Sequence, residues 1–105
     1  MANKLKLTLI ANPTFPSTVT VPTPSGPASL DVVFKHKDRE QYKEFVKDID
    51  KREDIDVMLE IVESWGLEQE FNRENLQIFM TQYMAGPRAI IEDYFSKLTG
   101  AKLGN

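Results

Sequence analysis

The spacing of hydrophobic residues changes once along the chain, from every second residue to a helical period. Segments 4–10, 18–22 and 28–35 alternate apolar with polar residues, the first reading Lys-Leu-Lys-Leu-Thr-Leu-Ile. Such alternation predicts a strand with one buried face. The turn-forming sequence Thr-Pro-Ser-Gly-Pro at 23–27 separates the second segment from the third. These two are therefore predicted to form a hairpin, to which 4–10 adds a third antiparallel strand.

Helical spacing begins after Asp38 and predicts four helices. Asp38 can cap the first helix, and Gln41 three residues later completes a capping box. The second helix is predicted to start near Glu53 or Asp54, where acidic residues suit the helix dipole. One apolar stripe marks each helix. The stripes are Tyr42, Phe45, Val46 and Ile49; Ile55, Met58, Leu59, Val62 and Trp65; Leu76, Phe79, Met80 and Tyr83; and Ile91, Tyr94, Phe95 and Leu98.

The last two helices carry the clearest boundary signals. Asn72 is a favourable N-cap for the third helix, and Phe71 and Leu76 can form a hydrophobic staple around it. Pro87 suits the first turn of the fourth helix. The glycines predicted to end the second, third and fourth helices are Gly66, Gly86 and Gly100.

Together these elements predict an α+β fold, with a small N-terminal antiparallel sheet of two to three strands followed by four α-helices. The chain has 105 residues, which is the length of one domain. We therefore expect a single domain over residues 1–105. Its strand and hairpin region is expected at 1–37 and its helical region at 38–105.

Composition narrows the classes of protein to which the chain can belong. Hydrophobic residues make up 41% and charged residues 28% of the chain, which is ordinary for a folded domain. The lack of cysteine argues against disulfide scaffolds, thiol nucleophiles and cysteine-ligated zinc. No apolar run approaches the roughly 18 residues that a membrane span needs, and the N-terminus does not read as a secretory signal. We expect a cytoplasmic protein without a membrane partner.

The charge distribution argues against nucleic-acid binding and leaves self-association open. The net charge is −3, whereas nucleic-acid binding depends on Lys and Arg that neutralise phosphates. Residues 48–70 hold nine acidic and two basic residues, a net of −7, so the remainder holds +4. Opposite charges on two parts of the chain could draw two copies together, so a homo-oligomer is one expectation.

Motifs for catalysis or cofactor binding are missing from the sequence. There is no Gly-rich phosphate loop and no Gly-x-Ser-x-Gly elbow. The single histidine, His36, lies between two lysines, and no motif supplies it with a nucleophile and an orienting acid. Asp48, Asp50 and Asp54 have the composition of a calcium loop, but Glu53 occupies the position that needs glycine. We expect no enzyme activity, no cofactor and no metal site.

Several short segments form a recognisable set, in order from about residue 17 to the terminus. They are Phe34-Lys35-His36-Lys37, Tyr42-x-x-Phe45, Trp65-Gly66-Leu67, 70–76, 83–90, Tyr94 and 98–105. Together with the proline-rich hairpin, they resemble the tail assembly chaperones of tailed phages. One turn differs, because members often read Tyr-Pro-Gly-Ala where this chain has Tyr83-Met84-Ala85-Gly86-Pro87.

The resemblance implies a non-enzymatic function in tail assembly. Such proteins coat the long helical tape measure protein in the bacterial host cytoplasm and leave as the tail tube polymerises around it. They use no nucleotide. In many phages a ribosomal frameshift yields a longer product whose extension recruits tail tube protein, and this chain would be the shorter product. The implied partners are therefore the tape measure protein and, through such a longer product, the tail tube protein.

A protein that shields an apolar client must expose apolar side chains of its own. The ends of helices are places where apolar stripes run out and side chains need not point inward. Leu67, Phe71, Tyr83 and Met84 lie at two such turns and within segments of the resemblance. We expect these four residues to bind the partner, although Phe71 also suits the staple.

Three alternatives remain at this point. The chain could be a generic protein-interaction adaptor outside tail assembly, which a gene neighbourhood without a tape measure gene would indicate. It could be a small enzyme or metal protein, against which the missing motifs argue. It could be a DNA-binding regulator with a helix-turn-helix. In that case the fourth helix would offer Arg88 and Lys97 against Glu92 and Asp93, a poor balance for phosphate contacts.

Overall fold

The predicted hairpin forms the two longest strands of the fold. In the computed structural model, which describes residues 5–100, β1 (Thr14–Thr23) pairs antiparallel with β2 (Gly26–Lys35) along its full length. A two-residue turn joins the strands, and Gly26 just after it has a φ of +119°, a value that side chains rarely adopt. Because alternate residues face opposite sides, the apolar residues of both strands share one face.

The third strand comes from a different part of the chain than the one predicted. The prediction of a strand at 4–10 is wrong for residues 5–10, which lie outside the sheet, and Lys4 lies outside the described residues. Instead β3 (Val62–Trp65), predicted as the end of the second helix, pairs antiparallel with β2. The strand order is β1-β2-β3.

Local sequence explains both differences. Pro16 and Pro22 of β1 have no backbone N–H, which weakens pairing along the open edge where the first segment was expected. The second helix, α2 (Asp54–Ile61), ends where Ile61 and Val62 are buried in succession. The change from helix to strand at this point leaves Ile61 among the helices and lets Val62 pair with β2.

All four predicted helices are present in the described part of the chain, and the α+β class is confirmed. Besides α2 they are α1 (Arg39–Lys47), α3 (Arg73–Gln82) and α4 (Gly86–Thr99). A short 3-10 helix (Ile49–Lys51) connects α1 to α2. Along the chain, β3 lies between α2 and α3.

Capping interactions place the helix boundaries as predicted at three ends. The Asp38 carboxylate accepts from the backbone N of Gln41 at 2.9 Å, and the Gln41 side chain accepts from the backbone N of Asp38 at 2.9 Å. Asn72 Oδ1 accepts from the backbone N of Asn75 at 2.8 Å and starts α3. Gly100 follows α4 in the left-handed conformation, with a φ of +76°.

The other two predicted stop glycines lie elsewhere. Gly66 follows β3, since α2 has already ended, and Gly86 begins α4 after α3 has ended at Gln82. A Cβ atom at Gly86 would lie 2.5 Å from a ring carbon of Phe79, so glycine allows the start of α4 to approach α3. Pro87 occupies the first turn of α4, as predicted.

Tyr94 of α4 lies at the centre of the core and is fully buried. Its ring centre lies 5.1 Å from that of Phe34 and 6.1 Å from those of Phe15 and Phe45. Its hydroxyl donates to the backbone carbonyl of Lys35 at 2.9 Å, which satisfies a buried polar group. The rest of the core is Val19, Val21, Leu30, Val32, Phe34, Phe45, Ile55, Val57, Met58, Ile61, Val62, Leu76, Phe79, Ile90 and Ile91.

A charged cluster covers one side of this core. The carboxylate of Glu60 on α2 accepts from Lys37 Nζ at 2.6 Å and from Arg52 Nη1 at 2.7 Å. The Lys37 ammonium also lies 4.9 Å from the ring centre of Phe45. Burial favours the neutral form of Glu60, but the hydrogen bonds and charges of Lys37 and Arg52 outweigh it. The pKa of Glu60 therefore lies below its ordinary value.

The buried hydroxyl of Tyr94 generates a prediction about alkaline stability. Burial and, to a smaller extent, the charges of Glu60 and Tyr42 raise the pKa of Tyr94 above its ordinary value. Above about pH 10 the unfolded chain therefore loses a proton that the folded protein keeps. We expect the free energy of unfolding to fall as the pH rises above this value, and Tyr94→Phe to remove this part of the fall.

Urea denaturation of both proteins across the alkaline range checks this expectation. At neutral pH the loss of the hydrogen bond to Lys35 is expected to cost Tyr94→Phe about 1 kcal/mol. Tyr83→Phe, which changes an exposed tyrosine, is the matched control and should follow the wild type. Equal pH dependence in the wild type and Tyr94→Phe would contradict the prediction.

Candidate functional site

Trp65, at the end of β3, organises the loop at 66–70. Its Nε1 donates to the backbone carbonyl of Gln69 at 2.7 Å, which closes the loop next to the indole. At the start of the loop, the backbone N of Gly66 donates to the carbonyl of Asp31 in β2 at 2.8 Å. The loop is thus tied to the sheet at one end and to the tryptophan at the other.

A row of aromatic rings connects this loop to α3. The Trp65 ring packs edge-on against Phe71, with ring centres 5.1 Å apart, and its centre also lies 5.6 Å from that of Phe79. Phe79 in turn lies 5.5 Å from Tyr83 at the end of α3. Phe71 and Tyr83, two of the residues predicted to bind the partner, therefore lie at opposite ends of one row.

Polar contacts hold α3 in place at its start. Asn75 Nδ2 donates to the backbone carbonyl of Glu70 at 2.8 Å, which joins the loop to the first turn of the helix. Arg73 forms an ion pair with Asp56, which links α3 to α2. The outer side of α3 consequently has a defined position relative to the loop.

Two depressions flank Leu67 and Tyr83. One, of about 130 Å³, lies between these residues and the hairpin, and the other, of about 370 Å³, lies between the loop and α3. The side chains of Leu67, Tyr83 and Ile78 are 41%, 43% and 56% exposed. We call the surface formed by Trp65, Leu67, Ile78, Phe79 and Tyr83 the loop–helix surface. Clustered exposed apolar side chains of this kind are typical of binding sites.

The structure brings together two of the four residues predicted to bind the partner. Leu67 and Tyr83 line both depressions. Phe71 is half-buried against Trp65. Met84 is 91% exposed in the turn between α3 and α4, and it lines neither depression.

Ile78 lies on the loop–helix surface, although it is absent from the residues predicted there. It lies next to Phe79 in the sequence but outside the stripe of α3 that faces the core, where Leu76 and Phe79 are buried. An apolar residue off the buried stripe of an amphipathic helix is the signal that could have identified it.

Exposed acidic side chains occupy the same loop and helix as the loop–helix surface. Glu68 and Glu70 are exposed in the loop, and Glu74 is exposed in the first turn of α3. The cation beside them, Arg73, is paired with Asp56. We call these three exposed glutamates the acidic border, because negative charge in the same loop and helix complements a partner whose apolar face is flanked by Lys and Arg.

Residues 5–100 hold no group of three or more His, Cys, Asp or Glu side chains that could bind a metal ion. Within the same range no helix combines the length and the apolar character that crossing a membrane requires. The backbone N of His36 donates to the carbonyl of Pro13 at 2.8 Å, so the visible role of this residue is to extend the pairing of β1 with β2.

A small α+β fold with an exposed apolar surface has the character of a protein-binding protein. The model of one family, described as phage tail assembly chaperone, matches residues 1–105, the whole chain. The chain therefore belongs to the phage tail assembly chaperone family, and the resemblance seen in the sequence is confirmed. Membership of a chaperone family accords with a non-enzymatic role. No curated protein and no solved structure matches the chain.

The position of Trp65 beneath the loop generates a prediction about stability. Trp65→Ala removes one of the two inner rings of the aromatic row and the hydrogen bond to Gln69 together, so we expect a loss of about 3 kcal/mol. Trp65→Phe keeps a ring and removes the hydrogen bond, and it should cost only about 1 kcal/mol. Urea denaturation of the three proteins measures both losses. An unchanged stability of Trp65→Ala would show that the aromatic row does not hold the loop.

Proposed function

We propose that this chaperone binds the tape measure protein through the loop–helix surface and keeps it soluble until the tail tube polymerises. The observation that carries the proposal is the exposure of Leu67, Ile78 and Tyr83 on a support of packed aromatic rings. The binding would take place in the cytoplasm of the bacterial host, where such tails assemble.

The chemistry of the client supports this assignment. A long amphipathic helix aggregates when its apolar face meets water, and a groove with apolar pockets can receive that face. The two depressions share Leu67 and Tyr83, so an apolar side chain of the client can enter on either side of these residues. Ile78 extends the apolar area along α3.

The acidic border adds selectivity to an otherwise apolar contact. Glu68, Glu70 and Glu74 favour a client helix with lysine or arginine beside its apolar face. Exposed charges of this kind mainly increase the rate of association, and salt screens them.

The remaining two predicted residues have different roles in the proposal. Met84 follows Tyr83 in the turn, and its long unbranched side chain can adapt to varied client side chains. Phe71 acts indirectly, because it packs against Trp65 and so supports the loop that carries Leu67.

The affinity of the chaperone for its client, and its release, depend on how many copies bind along one client. Each contact is small, but many chaperones along one client allow modest affinity to be sufficient. Polymerising tail tube protein would then displace the copies by competition, without a nucleotide. A longer product of the same gene would bring the tail tube protein close to the coated client.

Co-expression of the tape measure protein with chaperone variants tests the proposal. Leu67→Ser and Ile78→Ser shorten two exposed side chains, so both should lower the soluble fraction of the client severalfold. Their melting temperatures should stay near that of the wild type, because exposed positions contribute little to stability.

Gln77→Ser is the matched control, since it introduces the same residue at the neighbouring exposed position of α3. It should keep the client as soluble as the wild type does. Full client solubility with both Leu67→Ser and Ile78→Ser would show that the client binds elsewhere. A matching loss with Gln77→Ser would show that the effect is not specific to the surface.

A further inference from the structure

The segment at 5–10 exposes a strand-like pattern that the sheet of its own chain does not use. Leu5, Leu7 and Leu9 are 96%, 97% and 99% exposed, and they alternate with polar residues. An alternating segment of this kind has one apolar and one polar side, so it can add to the edge of a sheet that has the same two sides.

A groove runs between β1 and α4. Its volume is about 580 Å³, and its lining combines apolar Val19, Ala85 and Ala89 with charged side chains of α4, among them Arg88 and Glu92. Ala85, just before α4, and Ala89 within it have short side chains, which leaves room for larger apolar side chains beside the strand. Next to the groove, the Ser17 hydroxyl donates to Asp93 at 2.6 Å, a contact that joins β1 to α4 at one end.

The edge of β1 directs backbone groups into this groove. The carbonyl of Asp31 accepts from the backbone N of Gly66 at 2.8 Å, so the backbone of Asp31 faces β3. Thr18 lies opposite Asp31, and its own N–H and C=O consequently point away from β2. Thr20, two residues further on, points the same way. The prolines at the adjacent outward positions have no N–H, so pairing is restricted to the stretch that contains the two threonines.

We propose that residues 5–10 of one copy add to β1 of a second copy as an antiparallel strand. In the register that the groove favours, Leu7 lies opposite Val19. All three leucines then face the groove and extend the apolar side of the sheet, while Lys6 and Thr8 face the polar outer side.

This register also supplies backbone hydrogen bonds. Thr8 lies opposite Thr18 and Lys6 opposite Thr20, so the outward N–H and C=O groups of both threonines receive partners.

The segment cannot reach this register in its own chain. Pro13 already extends the strand, because its carbonyl accepts a backbone hydrogen bond of 2.8 Å from the residue that follows β2. A turn that joined this segment to β1 of the same chain would have to consist of residues 11–12 or of residues 11–13. Such a turn places Leu7 opposite Pro16 or Ser17, short of the groove. A second copy has no such restriction, and since strand and groove are different surfaces, the contact can link copies head to tail.

Sedimentation velocity of the full chain, up to about 1 mM, tests the proposal. The wild type should associate as its concentration rises. Leu7→Asp places a charge on the apolar side of the strand, and Thr20→Pro removes an outward N–H at the kind of position where β1 already holds proline. Each variant should lose association and remain monomeric. Thr20→Val keeps the N–H, so this matched control should associate like the wild type.

The decisive experiment is to mix the two monomeric variants. Leu7→Asp retains an intact groove and Thr20→Pro an intact strand, so the mixture should form a one-to-one dimer that does not grow. If Thr20→Pro does not fold, a synthetic peptide of residues 4–11 replaces it and should bind the Leu7→Asp protein, whose substitution lies at an exposed position.

Four results would overturn the proposal. They are a wild type that stays monomeric at every concentration, association of Leu7→Asp equal to the wild type, no dimer or peptide complex with Leu7→Asp, and association that salt abolishes. The last would indicate contact between the acidic segment 48–70 and the basic remainder, because exposed charges are screened by salt whereas a strand contact is not.

Discussion

The burial of Tyr94 fixes α4 against both long strands and against α1. Its ring touches Phe15, Phe34 and Phe45, and its hydroxyl reaches the carbonyl of Lys35, so packing and hydrogen bonding require the same position. Once α4 lies there, its start reaches α3, because glycine at that point leaves room for an aromatic ring. The place of α3, and with it the outer side of the loop–helix surface, therefore depends on a contact deep in the core.

Two apolar features remain outside this well-packed interior. The loop–helix surface is held by a row of rings between Phe71 and Tyr83, so its exposed leucine and isoleucine belong to a supported structure. The segment at 5–10 is exposed throughout, without comparable packing among the described residues. The first feature suits a client protein and the second suits another copy of the chaperone, so coating and self-association need not compete for one surface.

Local sequence signals predict much of the fold. They do not show which segments, distant in sequence, pair with each other in the sheet. Asp38, Asn72 and Gly100 act at helix ends as predicted, because caps depend on neighbouring backbone groups. The third strand lies in a different segment from the one predicted, because the period of residues 55–65 fits a helix throughout and only pairing with the sheet decides where the helix stops. In the candidate site, turn positions indicated Leu67 and Tyr83. Ile78 could be identified only from the structure, because its exposure depends on which side of α3 faces the core.

Hydrogen–deuterium exchange of the chaperone, alone and bound to the tape measure protein, tests whether the client contacts the loop–helix surface. Bound client should slow exchange in the loop at 66–70 and in the turn at 83–85, because both carry side chains of the proposed contact. We expect protection in these two segments, whereas exchange in β1 and β2 should be unchanged by the client. A stable complex in which these two segments exchange as fast as in the free protein would contradict it.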